Sequence, residues 1–489
     1  MEIEKKQSRD GRAQRGQRER GLVDRMVANM PFEPSPSQLE LFEKFASFIS
    51  ADASKEWLML IKGYAGTGKT TALGAIIKLI KSLGMRCILL APTGRSAKVL
   101  SNYTGDKAKT IHRQIYRQKD VDQESVFGYF VLDKNKLSNT VFIVDEVSLI
   151  NSFSDGTSIF GSGDLMSDLV DYVRQNSPNR LILCGDPAQL PPIGMDSSPA
   201  LDMGYLQRYC SDVVEIFLKD VLRQSIGSGI LVNATALRRQ IEEEDMAPPR
   251  FNVSDYPDFK SITGEALIET LQDAISEYGA QEVVVLCRSN ARANRYNAGI
   301  RAKVLYLEER LCPGDRLMVV KNCYRFEGAG GELDFIANGD SAILLKISDY
   351  KERYGLNFAQ ATLQFPDYDN LEIRARIVLD TLDSTSPALS REQQSALYNG
   401  VWEDHSGKSR KRDRYKAVKE DPYYNALQIK YATAITGHKS QGGQWKCVFI
   451  DNSIWSDDVT IDDKKWLYTA ITRGVEMVYL VNFGKQYLE

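Results

Sequence analysis

Residues 63–71 read GYAGTGKTT and are the strongest indication of how the first part of the chain folds. They follow the apolar run WLMLIK at 57–62. The spacing G-x-x-x-x-G-K-[ST] after a predicted strand is the signature of a phosphate-binding loop that opens a helix. Backbone N–H groups of such a loop surround phosphate oxygens, and the helix offers the positive end of its dipole. The sequence therefore predicts a P-loop nucleotide site.

The side chains of this loop have distinct predicted roles. Lys69 reaches the β- and γ-phosphates of ATP, and the Thr70 hydroxyl lies on Mg²⁺. The predicted nucleotide-binding set comprises Gly63, Ala65, Gly66, Thr67, Gly68, Lys69, Thr70 and Thr71.

Two further apolar runs end in polar residues that suit phosphoryl transfer. VFIVDEVSLI at 141–150 places Asp145 and Glu146 after a buried strand. Asp145 is predicted to hold the Mg²⁺ shell, and Glu146 to polarise the attacking water. LILCGDPAQLPPIG at 181–194 delivers Gln189 in a loop stiffened by prolines, where its amide can contact the γ-phosphate or the water.

Two arginines are candidates to neutralise charge on the γ-phosphate. Arg223 lies in LKDVLRQS, and Arg473 ends the amphipathic stretch WLYTAITRGVE. Guanidinium groups supplied from a second domain would make hydrolysis depend on domain closure. Taken alone, either residue is more often an ordinary surface arginine.

Composition limits the class of protein. The chain has 489 residues, a formal net charge of −3 and no CxxC pair. The length favours several domains, and the near-neutral charge means that any nucleic-acid surface is local. No apolar run reaches the length of a membrane span, so a soluble intracellular protein is expected.

The pattern along the chain predicts two α/β units and a β-rich insertion. Residues 1–34 are polar and arginine-rich, and are interpreted as a flexible tail or at most a solvated helix. Short runs punctuated by Gly-Asp turns at about 311–365 indicate a small barrel. The polar stretch 366–425 carries seven Lys/Arg against one Asp at 408–419. That cluster fits either a phosphate backbone or a solvated helix face.

The order of the motifs resembles that of superfamily 1 helicases of the RecD/Dda type, which move 5′→3′ on single-stranded DNA. The resemblance covers about 35–485. It rests on GYAGTGKTT, LLAPTGRSAKVLS, TIHRQI, IVDEVSLI, GDPAQLPPIG, LKDVLRQ, ITGHKSQGGQW and LYTAITRG. It implies an α/β fold of two RecA-like P-loop NTPase domains with ATP in the cleft between them.

The resemblance also implies the domain bounds. The first RecA-like domain is expected at 35–210, with a β-hairpin insertion, the pin, at 113–140. The second is expected at 211–310 and 426–489, and an SH3-like barrel with a polar extension at 311–425.

The resemblance assigns further residues. Gln38 would contact the adenine edge, and Arg223 and Arg473 would be arginine fingers. Single-stranded DNA would be held by Pro92, Thr93, Thr110, His112, Thr436, His438, Lys439 and Ser440. The pin aromatic that splits the duplex would be Phe127, Tyr129 or Phe130, although a hairpin also needs aromatic rings for its own packing.

The functional expectation is an ATP-dependent DNA helicase that acts as a monomer on single-stranded and forked DNA in replication, recombination or repair. Its expected setting is the cytoplasm of a bacterium or of a phage-infected cell. Its protein partners would be a single-strand-binding protein or replication factors. Two alternatives stay open: a translocase that clears bound proteins with little unwinding, and a nucleotide-regulated binding module with negligible turnover.

Overall fold

A computed structural model describes residues 2–118, 130–152, 160–220, 227–326, 335–408, 410–452 and 458–489. The chain forms two compact units. The first comprises residues 1–92 and 96–227, and the second comprises residues 93–95 and 228–489.

The first unit is an α/β layer structure. Its helices and strands are α1 (Glu2–Ala28), α2 (Pro36–Ser50), β1 (Leu58–Gly63), α3 (Lys69–Ser82), β2 (Arg86–Ala91), α4 (Gly94–Thr104), β3 (Lys109–Thr110), α5 (Ile111–Ile115), β4 (Tyr116–Gln118), β5 (Phe130–Leu132), β6 (Thr140–Val144), α6 (Leu165–Arg174), β7 (Arg180–Gly185), α7 (Met203–Leu206) and β8 (Val214–Leu218).

The main sheet of this unit is parallel, with the order β3-β2-β6-β7-β1-β8. β1 lies inside the sheet, and apolar residues of α2 and α3 cover one face. Ligands of open α/β sheets bind at the carboxyl ends of the strands. Since β6, β7 and β1 are neighbours, the loops that follow them share one edge.

The N-terminal segment differs from the predicted flexible tail. α1 runs to Ala28, and Leu22 and Met26 are buried in the same core as α2 and α3. These two residues are four apart, so they lie on one face of the helix. Arg25 also donates a hydrogen bond to Ser82 Oγ on α3. The end of the segment is therefore part of the first unit.

The predicted boundary at residue 211 is also corrected. Strand β8 pairs with β1 in parallel, with Leu60 opposite Glu215, and therefore completes the first sheet. The break between the units falls after Gly227.

The second unit combines another parallel sheet with a barrel. Its elements are α8 (Gly229–Glu242), β9 (Phe259–Ile262), α9 (Leu267–Tyr278), β10 (Val283–Cys287), α10 (Asn290–Lys303), β11 (Arg316–Val319), β12 (Ser341–Arg353), β13 (Leu356–Phe365), β14 (Leu371–Val378), α11 (Arg391–Asp404), α12 (Lys411–Glu420), β15 (Leu427–Tyr431), β16 (Ala434–Thr436), α13 (Gly437–Ser440), β17 (Trp445–Asp451), α14 (Ile461–Ile471) and β18 (Gly474–Val481). The parallel sheet has the order β16-β10-β17-β18-β9.

The barrel is larger than the sequence predicts. β11, β12, β13, β14 and β15 close on one another. β14 was expected in the polar extension and β15 in the second RecA-like domain. β15 pairs with both β11 and β14, so it closes the barrel before the chain returns to the parallel sheet.

The predicted fold class is confirmed. Two parallel α/β sheets are present, with a two-stranded antiparallel sheet, β4–β5, in the first unit and a closed five-stranded barrel in the second. Within the described ranges, every helix is too short or too polar to cross a bilayer.

Candidate active site and nucleic-acid contacts

The P-loop joins β1 to α3, as the motif predicts. Gly66 and Gly68 have φ values of 78° and 72°, a left-handed region that favours glycine. A Cβ at Gly63 would approach Lys69 Cγ to 2.8 Å, so the close turn over the lysine needs a glycine there. The Thr67 hydroxyl donates to the Tyr64 carbonyl at 2.8 Å and fixes the loop from inside.

Lys69 is the first residue of α3, followed by Thr70 and Thr71 in the first turn. Its ammonium donates to the carbonyl oxygens of Gly63 and Tyr64, the latter at 3.1 Å. These acceptors are neutral. A phosphate oxygen adds a negative charge to the hydrogen bond, which makes its bond to the ammonium stronger and favours exchange of the carbonyls for a triphosphate.

Asp145 and Glu146 follow β6 on the neighbouring part of the same edge. The Glu146 N–H donates to Asp145 Oδ1 at 2.9 Å. Burial and the charge of Glu146 together raise the pKa of Asp145 to about 6, although nearby Lys69 and the Glu146 N–H oppose the shift. Two carboxyl groups that resist joint ionisation favour a bound cation, and carboxylate oxygens are hard ligands that suit Mg²⁺.

Gln189 lies in the loop that follows β7, the strand beside β1. It is buried, and its backbone N–H donates to the Asp186 carbonyl at 3.3 Å. The Asp186 carboxylate accepts from the Ala188 N–H at 2.9 Å and shapes this turn. Asp186 was not singled out in the sequence, although the Gly-Asp pair after an apolar run is a turn signal.

Gln38 lies under the P-loop. Its amide nitrogen donates to the carbonyls of Thr67 (3.1 Å) and Gly68 (3.4 Å), and its amide oxygen accepts from Ser35 N–H at 3.0 Å. The side chain is 0% exposed. As placed, Gln38 positions the loop, and an adenine contact would require these bonds to break.

Asp220 is a second residue that the sequence did not reveal. Its carboxylate accepts from the Ser37 N–H at 2.8 Å, which holds the start of α2 beside the loop. This backbone hydrogen bond lowers the pKa of Asp220, with the Ser37 hydroxyl adding to it.

Replacing Gln38 distinguishes two roles for this side chain, positioning of the P-loop and recognition of the adenine base. Gln38→Ala removes two hydrogen bonds to the loop, each worth about 1 kcal/mol, so the Kd for ATP should rise by up to about 30-fold. If the side chain only positions the loop, ATP and GTP affinities fall by the same factor. A selective loss of ATP affinity in titrations with fluorescent analogues would show adenine recognition instead. Gln207→Ala, at an exposed position, is the control.

The two predicted arginine fingers have different outcomes. Arg223 lies outside the described residues. Arg473 follows α14 and is 4% exposed. Its guanidinium donates to the carbonyls of Thr469 (3.0 Å) and Gly443 (3.2 Å) within the second unit. Its role as a finger therefore stays a prediction.

The predicted DNA contacts of the first part of the chain lie after β2 and at α5. Pro92 ends the first segment of the first unit, and Thr93 groups with the second unit. The Thr110 hydroxyl caps α5 by accepting from the Arg113 N–H at 3.3 Å. This hydroxyl has a structural partner already, and its contact to DNA stays a prediction.

His112 packs among aromatic rings. Its ring lies 4.7 Å from Phe160 and 5.6 Å from Tyr116, measured between centroids. Burial lowers the pKa of His112 to about 4, and Asp168 opposes the shift only in part. The imidazole is therefore neutral at pH 7 and cannot attract phosphate by charge.

This environment predicts a pH dependence of stability. Between pH 6.5 and about 4 the unfolded chain protonates His112 and the folded chain does not, so stability falls as pH drops through this window, by up to about 3 kcal/mol. Above pH 6.5 the contribution is fully present. His112→Gln should flatten the decline of the urea midpoint between pH 7 and 4.5. An unchanged slope would contradict the assignment, and His405→Gln in the other unit is the control.

Strands β4 and β5, which lie within the predicted pin, pair in antiparallel orientation, and the side chain of one candidate aromatic residue packs beneath them. Phe130 in β5 is 3% exposed, and its ring lies 4.8 Å from Phe160. A ring that stacks on a base pair must be accessible, so Phe130 is corrected to a packing role. The other two candidates, Phe127 and Tyr129, lie outside the described residues.

The predicted DNA contacts of the second unit surround the short helix α13. Thr436 precedes it, and Ser440 is buried with its hydroxyl donating to Gly437 O at 2.7 Å. Burial, helped by Lys430, lowers the pKa of Lys439 to about 8. Burial and Arg288 lower the pKa of His438. Thr436 and Lys439 fit a backbone contact, while Ser440 supports the turn.

Trp466 and Arg288 support this turn and were missed in the sequence. A Cβ at Gly437 would come within 2.4 Å of Trp466 Nε1, so only glycine fits over the indole. Arg288 lies 5.8 Å from the Trp466 ring and pairs with Asp463 at 3.0 Å. Gly437 in ITGHKS is the sequence feature that could have indicated a close contact at this turn.

Comparisons with known proteins point to helicases. Residues 35–246 match the family model of an AAA domain, and residues 431–481 match that of the UvrD-like helicase C-terminal domain. The first match contains the P-loop, Asp145 and Gln189. The second contains α13 and Arg473.

Three curated proteins are similar to parts of the chain. An uncharacterized protein of Methanocaldococcus jannaschii is 24% identical over 86% of this chain and 36% of its own length. The ATP-dependent RecD2 DNA helicase of Deinococcus radiodurans is 28% identical over 64% of this chain and 40% of its own. The ATP-dependent DNA helicase dda of enterobacteria phage T4 is 33% identical over 24% of this chain and 30% of its own. The chain thus spans less than half of the length of each of these three relatives.

Proposed function

Because the chain belongs to the superfamily 1 helicases of the RecD/Dda type, we propose that it is an ATP-dependent DNA helicase. It would move 5′→3′ on single-stranded DNA and unwind duplex DNA. The observation that carries the proposal is the convergence of Lys69, Asp145, Glu146 and Gln189 on loops that follow neighbouring strands of one parallel sheet.

The chemistry assigned to this edge is ATP hydrolysis. Lys69 exchanges its two carbonyl acceptors for phosphate oxygens and neutralises negative charge as the γ-phosphoryl group leaves. Glu146 accepts a proton from the attacking water, and Gln189 orients that water. Asp145 and Thr70 would hold Mg²⁺, which supplies charge neutralisation to the β- and γ-phosphates.

The DNA contacts proposed for translocation divide between the two units. Thr110 belongs to the first unit, and Thr436, His438 and Lys439 to the second. Hydroxyl groups and a lysine suit backbone contact without base readout. If ATP turnover changes the relative grip of the two sets, each cycle advances the strand. Opening one base-pair step costs about 1–2 kcal/mol, which the hydrolysis of one ATP easily covers. The coupling of hydrolysis to strand movement, and not the supply of energy, therefore limits unwinding.

The proposed cellular setting and partners of the protein are inferred from the similar proteins. With similarity to a bacterial and a phage helicase, the proposed setting is the cytoplasm of a bacterium or of a phage-infected cell. Single-stranded and forked DNA are the proposed nucleic-acid partners, and a single-strand-binding protein is the proposed protein partner.

Forked substrates with opposite tails test the proposal. The helicase is expected to separate a duplex with a single-stranded 5′ tail in the presence of ATP and Mg²⁺, and to leave a duplex with only a 3′ tail intact. Separation of neither substrate would contradict the helicase. If streptavidin is then displaced from single-stranded biotinylated DNA, the protein is instead the translocase that clears bound proteins.

A further inference from the structure

The barrel extension carries an exposed cluster of positive charge. We define the α12 basic patch as Lys408, Arg410, Lys411, Arg412 and Lys416, all of which are exposed. The last three lie on α12, and the first two lie in the segment just before it.

Two further cations at 408–419, Arg414 and Lys419, are directed inward and do not belong to the patch. The Arg414 guanidinium lies 4.3 Å from the Trp402 ring and donates to the Trp402 carbonyl at 2.6 Å. Burial, helped by Arg325, lowers the pKa of Lys419 to about 8. Arg414 and Lys419 therefore support the helix, and the other five cations are directed to solvent.

The patch is held by a small core of its own. Val418 on α12 is buried with Val401 of α11 and Phe358 of β13. Tyr423, just after α12, lies between Arg353 (4.9 Å) and Arg376 (4.4 Å) of the barrel strands. A ligand of the patch would thus meet a helix that is already ordered, so binding carries little cost of ordering the backbone.

Two carboxylates that border the patch are paired with other cations, and Asp413, exposed on α12, is the one carboxylate within residues 408–419. The pairs are Asp404 with Arg353 (3.0 Å) and Glu420 with Arg325 (3.5 Å), while the Asp421 carboxylate accepts from the Tyr423 N–H at 2.8 Å. Within the described part of the chain, no ion pair joins a patch cation to a carboxylate. The charge of the patch is therefore not neutralised by close ion pairs.

The nearby aromatic rings pack with one another. Trp402 lies 6.1 Å from Tyr398 in a stacked arrangement and 6.3 Å from Tyr415 edge to face. Rings that stabilise the two helices in this way do not form a platform for bases. The ligand that fits dense, exposed, unneutralised positive charge is a phosphate backbone.

We propose that the α12 basic patch binds the sugar–phosphate backbone of DNA, as a contact separate from Thr110 and from α13. The proposal rests on the proposed function, because it assumes that DNA is the polymer on which the protein acts. The patch adds affinity and retention on DNA and reads no sequence.

The salt dependence of DNA affinity directly measures how many phosphate contacts the patch makes. A variant with all five residues changed to Gln should lose affinity for DNA in fluorescence anisotropy. The slope of log K against log salt should become shallower by about 0.7 per lost contact on single strands and about 0.9 on duplex. For three to five contacts, this is a change of about 2 to 4. A single-stranded 30-mer and a blunt duplex are titrated separately. The DNA whose slope differs between the variant and the wild type is the form that the patch binds.

A matched pair of double variants controls for total charge. Lys411→Gln with Lys416→Gln should reduce the slope, whereas Lys260→Gln with Lys303→Gln, two exposed lysines of the parallel α/β part of the second unit, should not. All variants should keep the wild-type Tm, since the altered side chains are exposed. Equal slopes in the five-residue variant and the wild type on both DNAs would overturn the proposal and leave a solvated helix face. Failure of the helicase proposal itself would appear elsewhere, as a wild-type protein that separates no fork.

Discussion

Glu146→Gln is expected to reduce ATP turnover by about 10²- to 10⁴-fold, the usual contribution of a general base, while ATP binding persists. The amide keeps the shape of the side chain but cannot accept a proton from water. It also removes the negative charge that raises the pKa of Asp145, so the affinity of the site for Mg²⁺ and triphosphate should not fall. The variant should then accumulate in an ATP-bound state on single-stranded DNA.

The measurement pairs steady-state hydrolysis with gel-shift binding to single-stranded DNA in the presence of ATP. Glu43→Gln, the same change at an exposed position of α2, should leave both unchanged. If Glu146→Gln hydrolyses ATP at a rate near that of the wild type, another residue is the base.

Lys69→Ala is expected to lower kcat for ATP by about 10²- to 10³-fold, the range for loss of one donor to developing charge, and to weaken nucleotide binding. The lysine contributes the positive charge nearest the loop, since it already lies over the carbonyls of Gly63 and Tyr64. Its loss also removes the cation that lowers the pKa of Asp145, so Mg²⁺ binding should weaken as well.

Lys78→Ala is the matched control, because Lys78 is an exposed lysine on the same helix. Binding is measured with a fluorescent ATP analogue over a range of Mg²⁺ concentrations. Wild-type affinity and turnover in Lys69→Ala would show that the loop does not bind the triphosphate.

Features encoded by short contiguous stretches could be predicted from the sequence. The positions of Lys69 at a helix start and of Asp145 directly after a strand depend on local spacing, so both positions could be predicted. The two parallel sheets and the barrel also followed from local alternation and Gly-Asp turns.

Features that depend on pairing across the chain could not be predicted. The apolar pattern of a strand such as β8 or β15 does not indicate which sheet the strand joins. Both strands were therefore assigned to the second RecA-like domain, whereas β8 belongs to the first sheet and β15 to the barrel. The amide of Gln38 and the ring of Phe130 illustrate the same limit for side chains. Their partners, Thr67 and Phe160, lie 29 and 30 residues away, and only the folded chain shows that both groups are engaged.

The proposed function requires that hydrolysis at the P-loop of the first unit is coupled to a bound polynucleotide. The most direct test is the steady-state ATPase rate of the wild-type protein with and without a single-stranded DNA oligonucleotide, at constant salt and Mg²⁺. A many-fold stimulation by DNA that disappears in Glu146→Gln is the predicted result. An ATPase rate that is the same with and without DNA would show that hydrolysis and DNA binding are not coupled.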